Sequence, residues 1–165
     1  MMKTKMFLTV KDIALISIAL AMLEVSKFAL SFIPGVEIVS LLFIIYTLFF
    51  KEKIFYILTT FYLLEGILYG FGIWWFMYIY IWAILVILTY AFRNKKSIWF
   101  WSVLSGIFGL LFGLLCCPVY YITGGINMTI SWWIAGIPTD IIHCISNFIV
   151  CLILFKPLNK VLKFA

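Results

Sequence analysis

Long apolar runs, broken by short polar or Gly/Pro-bearing stretches, set the pattern of this chain. A bilayer span needs roughly 20 apolar residues, and fewer where the bilayer thins. Six stretches qualify, at 12–33, 36–50, 54–69, 73–92, 98–117 and 132–155. Pro34-Gly35 ends the first, Pro118 the fifth, and Pro157 follows the sixth. The pattern predicts an all-α integral membrane protein with six transmembrane helices in one domain over 1–165.

The last run is not uniformly apolar. Asp140, His143 and Asn147 stand at i, i+3 and i+7, which places them within about 60° of one another on a helix. Polar side chains are costly in hydrocarbon, so this face should meet protein, water or a ligand. Either these groups bind something or they pin helices together.

Composition agrees with the pattern. Hydrophobic residues make up 67% and charged residues 11%, against about half and a quarter in soluble domains. The net charge of +6 does not indicate nucleic-acid binding, because the basic residues sit in short loops and tails. Eleven of the twelve, all but Lys27, fall on one side of the six spans. By the positive-inside rule both termini are cytoplasmic. The run after Lys3, Lys5 and Lys11 has no small-residue cleavage site and reads as an uncleaved first span. Cys116, Cys117, Cys144 and Cys151 form no C-x-x-C and read as small buried hydrophobes.

This orientation puts three connections outside: around 31–37, 69–72 and 118–131. The last is the longest. It holds Gly124, Gly125 and Asn127 without a charge, and reads as a loop, either plain or acting as a lid. Four acidic residues, Glu24, Glu37, Glu65 and Asp140, need a reason for being in or near the membrane. Glu37, Glu65 and Asp140 lie in the outer half at about 1.5 Å per residue. Glu24 is deeper, and Lys27, three residues on, can pair with it or reach outward. Trp74, Trp75, Tyr78, Tyr80, Trp132 and Trp133 crowd the outer ends, as an interfacial belt or as pocket walls. Polar groups gathered on the outer side fit an outward-open pocket better than an ion path across the membrane. With one histidine, no H-E-x-x-H, no G-x-S-x-G and no P-loop, nothing marks a catalytic residue, a metal site or a cofactor.

The run Gly136 to Phe148 (GIPTDIIHCISNF), with Pro157-Leu158 after it, resembles the last helix of substrate-binding S components of energy-coupling factor transporters. Pro34-Gly35-Val36-Glu37, Gly70-Phe71-Gly72 and Tyr78-Ile79-Tyr80-Ile81-Trp82 are similar as well. The resemblance covers essentially the whole chain. It implies a non-enzymatic subunit of a bacterial cell-membrane importer, which captures a micronutrient in an outward pocket capped by the first, third and fifth loops. It also implies a transmembrane coupling protein and two cytoplasmic ATPases as partners, and toppling in the bilayer to deliver the ligand. The family's A-x-x-x-A docking patch is replaced by Ser17 and Ala21 with Ala14 nearby, still small enough for close helix approach.

The residues expected at the substrate are Asp140, His143 and Asn147, then Glu37, Glu65, Trp74, Trp75, Trp132, Trp133 and Asn127. Carboxylates, one imidazole and many rings suit a flat, polar heterocycle, neutral or cationic. A queuosine precursor or a thiamine-like compound fits, with vitamin B12 as the wider alternative. The other functional classes left open are an ATPase-independent secondary transporter or channel and a non-transport membrane scaffold.

Overall fold

The computed structural model describes residues 8–164. Lys3 and Lys5 of the basic tail, and the side chain of Lys163, fall outside that description. Among the described residues the chain is all-helical. Three stretches are long and apolar enough to cross a membrane: Val10–Leu30, Ile73–Ala91 and the nearly continuous Ile98–Leu162.

Helix α1 (Val10–Leu30) begins at a capping box, in which Thr9 and Asp12 satisfy each other's backbone N–H groups. It packs through Ile16, Ala19, Leu20 and Leu23 and leaves its other face exposed. Helix α2 (Val39–Phe50) is the buried centre of the bundle. Its 12 residues span only ~18 Å, and neighbours cover it on nearly every side. A tight turn with Lys51 at φ 53° leads through the short 3₁₀ turn Lys51–Lys53 into α3 (Ile54–Tyr69). Lys53 pairs with Asp12 at 2.6 Å, tying this turn to the start of α1. Helix α4 (Ile73–Ala91) follows. Phe43 of α2 stacks on Trp82 of α4 at 5.2 Å, and Phe61 of α3 meets Trp82 edge-on. These rings form the middle of the core.

The last third of the chain departs from the sequence expectation. Helix α5 (Ile98–Leu110) pauses at Leu111 and continues directly as α6 (Phe112–Phe164). Pro118 does not stop it, and 118–131 is not a loop. The reversal occurs at Gly125 alone, at φ 70°, a conformation that favours glycine. Two antiparallel arms result, 98–124 and 126–164. Proline removes one hydrogen bond and kinks a helix, but a packed neighbour holds the chain helical around it. Here Tyr120 stacks on Trp132 across the arms at 4.1 Å. Pro138 and Pro157 also lie inside α6, so Pro157 is no terminator either.

Small residues let the arms touch. A Cβ on Gly109 would stand 2.8 Å from the His143 carbonyl oxygen, and one on Gly106 would stand 3.2 Å from that of Cys144. Ser102 and Ser105 continue this buried stripe, the close-approach pattern of membrane helix pairs. On the opposite side of α6, Ile141, Ile145, Ile149 and Ile153 are exposed, one helical turn apart, as a lipid-facing row would be.

Candidate functional site

The connection between α1 and α2 docks onto α6, and this contact builds the site. Gly35 takes φ +74°, and a Cβ there would lie 2.9 Å from Ile142 Cγ2. Ser146 Oγ donates to the Gly35 carbonyl at 2.6 Å. So held, the connection carries Glu37 to α6, where its Oε1 lies 3.3 Å from His143 Nε2. The other oxygen, Oε2, accepts from the Ser40 backbone N–H at 2.8 Å. The carboxylate thereby satisfies one of the free donors that open α2, where the helix dipole also favours negative charge.

Asp140 answers a second helix start. The pause at Leu111 leaves free N–H groups at the beginning of α6, and Asp140 Oδ1 accepts from that of Gly113 at 3.1 Å. A Cβ at 113 would fall 2.3 Å from Asp140 Oδ2, so any larger residue there must push the carboxylate aside. Asn147 lies one layer deeper, 2% exposed, and donates to Ser40 Oγ at 3.4 Å.

Above this layer is a cavity of about 270 Å³. Glu37, Asp140 and His143 form its polar wall, Lys27 joins them, and Phe61, Tyr78, Trp82 and Phe112 supply rings. The Phe112 ring lies 5.3 Å from that of His143. Carboxylate acceptors thus face aromatic surfaces across a small space, which suits a flat ligand bearing hydrogen-bond donors or positive charge. Among the described residues, no group of three or more His, Cys, Asp and Glu side chains is placed to hold a metal ion.

Lys27 pairs with the buried Glu65, not with Glu24 as the i, i+3 spacing suggests. Its ammonium lies 4.3 Å from the centre of the Tyr69 ring, 5.4 Å from Tyr78 and 5.8 Å from Trp74. That cage and the Glu65 carboxylate stabilise a cation that Glu24 alone would hold nearer the end of its own helix. Glu24 is left with no hydrogen-bond partner among the described residues.

No known family matches this chain, nor does any curated protein or solved structure. The site therefore rests on its own geometry.

Of the residues singled out in the sequence, Glu37, Asp140 and His143 line the cavity. Asn147 supports it from beneath, and Glu65 and Trp74 stand behind Lys27. Trp75 is turned away, its Nε1 donating to the Tyr62 carbonyl at 2.7 Å. Trp132, Trp133 and Asn127 lie on the exposed end of the hairpin near Gly125 and are not among the cavity walls. Tyr78, read as belt or pocket wall, is a wall, whereas Lys27, Phe61, Trp82 and Phe112 were not expected at the substrate. Trp74, Tyr78 and Trp82 recur every four residues, so the face of α4 that carries this wall was readable from spacing.

Proposed function

We propose that this chain is the substrate-binding subunit of an energy-coupling factor importer, with the Glu37–Asp140–His143 cavity as its ligand pocket. The observation that carries the reading is the meeting of two carboxylates, one imidazole and four rings around one cavity, with Glu37, Tyr78, Trp82, Asp140 and His143 drawn from the segments that carry the family resemblance. The chain crosses the membrane six times with both termini in the cytoplasm. Supporting this are the eleven basic residues on one side of the six runs and the Lys53–Asp12 pair, which joins two of those basic segments. Helices α2 and α3 are short for spans, and their buried position lets neighbours and a locally thinned bilayer accommodate them.

The ligand is a micronutrient-sized heterocycle of one or two rings, such as a queuosine precursor or a thiamine-like compound. A cavity of about 270 Å³ sits at the lower edge of the ~300–1,000 Å³ typical of drug-sized ligands, which favours such a molecule over vitamin B12. Energy comes from partner ATPases through a coupling protein. Ala14, Ser17 and Ala21 share an exposed face of α1, where small side chains permit close approach by a partner helix. The test is purification without added ligand, followed by mass spectrometry of whatever small molecule is released. A stoichiometric heterocycle supports the reading. Uptake by vesicles holding this chain alone, driven by an ion gradient, would replace it with a secondary transporter.

A further inference from the structure

A second hollow, of about 470 Å³, lies at the far end of the α5–α6 hairpin from Gly125. Its walls are Lys96, Ile98, Trp99, Leu152, Ile153 and Lys156. The two lysines come from opposite arms. They reach the same level because the arms are antiparallel about Gly125, and the end is locked in place. Trp101 Nε1 donates to the Lys95 carbonyl at 3.1 Å, and the Trp101 ring stacks on Phe155, next to Lys156.

The charge of this hollow is uncompensated. Neither Lys96 nor Lys156 pairs with a carboxylate among the described residues. The nearest acidic residue along α6, Asp140, is ~24 Å away by helical rise, and no acidic side chain lines the hollow. Helix α5 begins here with Ser97 as its cap, so free backbone N–H groups and the positive end of the dipole add to the lysines. Beside this polar end the walls turn apolar. Trp99 is 64% exposed and Ile153 63%, on a hairpin long and apolar enough to lie in a membrane.

We propose that this hollow binds an anionic phospholipid. The phosphate sits between Lys96 and Lys156 at the start of α5, Trp99 lies at headgroup level, and an acyl chain runs along Ile98, Leu152 and Ile153. Charge complementarity selects the headgroup, and the apolar wall distinguishes a lipid from a free anion.

The test uses the full chain in phosphatidylcholine vesicles containing a minor fraction of phosphatidylglycerol, with bromine on the acyl chain of one lipid or the other to quench nearby tryptophan. Phosphatidylglycerol should quench with roughly tenfold preference over its bulk share at low salt. Trp99→Phe should remove the excess quenching. Lys96→Gln/Lys156→Gln should bring the preference near parity, and Lys96→Arg/Lys156→Arg should keep it. If the double Gln protein fails to fold, the Arg and Trp99→Phe proteins carry the result. Equal quenching by the two lipids, a preference that survives Trp99→Phe, or one retained by a folded double Gln protein would overturn the proposal. So would its erasure by inorganic phosphate, which would make a free anion the ligand.

Discussion

Glu37 and His143 meet at 3.3 Å although 106 positions separate them in the chain. The contact exists because Gly35 allows the α1–α2 connection to lie directly on α6. The rest of the pocket is arranged around that docked corner.

Gly35→Ala should therefore cost both stability and ligand. The side chain must adopt φ +74° and enter the space of Ile142. Holding a non-glycine residue in that region costs about 1–3 kcal/mol, and the clash adds to it. Thermal unfolding in detergent should show a lowered midpoint. Ligand retention should fall further than stability alone explains, because Glu37 moves away from His143.

A second glycine separates packing from chance. Gly113→Ala must displace Asp140, whose Oδ2 would lie 2.3 Å from the new Cβ. Gly136→Ala, with nothing within 4 Å, should be neutral or stabilising by up to about 1 kcal/mol, since alanine favours helix more than glycine does. The unfolding midpoint should fall for Gly113→Ala and hold or rise for Gly136→Ala.

The Lys27–Glu65 pair should behave as a buried ion pair does when halved. Lys27→Met leaves Glu65, which is fully buried, without its cation, and such a loss costs about 3–5 kcal/mol. Adding Glu65→Leu to Lys27→Met should recover most of that stability. No recovery in the double variant would show that Lys27 acts through its aromatic cage instead.

The exposed small face of α1 gives a prediction about assembly. Ser17→Leu should leave the fold and ligand retention unchanged, because Ser17 lies outside the cavity and its hydroxyl bonds only the Ile13 carbonyl within its own helix. Co-purification with the proposed coupling protein and ATPases should drop sharply. Unchanged co-purification would move the docking surface elsewhere.

Periodicity carried much of this architecture. The helical character of the chain followed from its apolar runs, and the spacing of Asp140, His143 and Asn147 placed all three on the face of α6 that meets α2 and the cavity. Spacing alone failed where a tertiary contact decided the outcome. Pro118 read as a stop because its missing N–H is visible in sequence, whereas the neighbouring arm that keeps 112–124 helical is not. Spacing offered Lys27 either Glu24 or an outward reach, and could not show Glu65, which comes from another helix. Trp132 and Trp133 had the right chemistry for a pocket wall, but the hairpin carries them beyond it. Gly106, Gly109 and Gly113, three and four apart, form a small-residue stripe that was passed over in the sequence and that lies at the hairpin interface.

The cavity between Glu37, Asp140 and His143 is the proposed seat of the ligand. The most direct test compares the small molecule released from the purified wild-type chain with that from Asp140→Asn, after circular dichroism and gel filtration show that both are folded. A near-stoichiometric heterocycle is expected in the wild type and a large loss in the variant. Equal ligand content in a folded Asp140→Asn protein would contradict it, and would place the ligand away from this carboxylate.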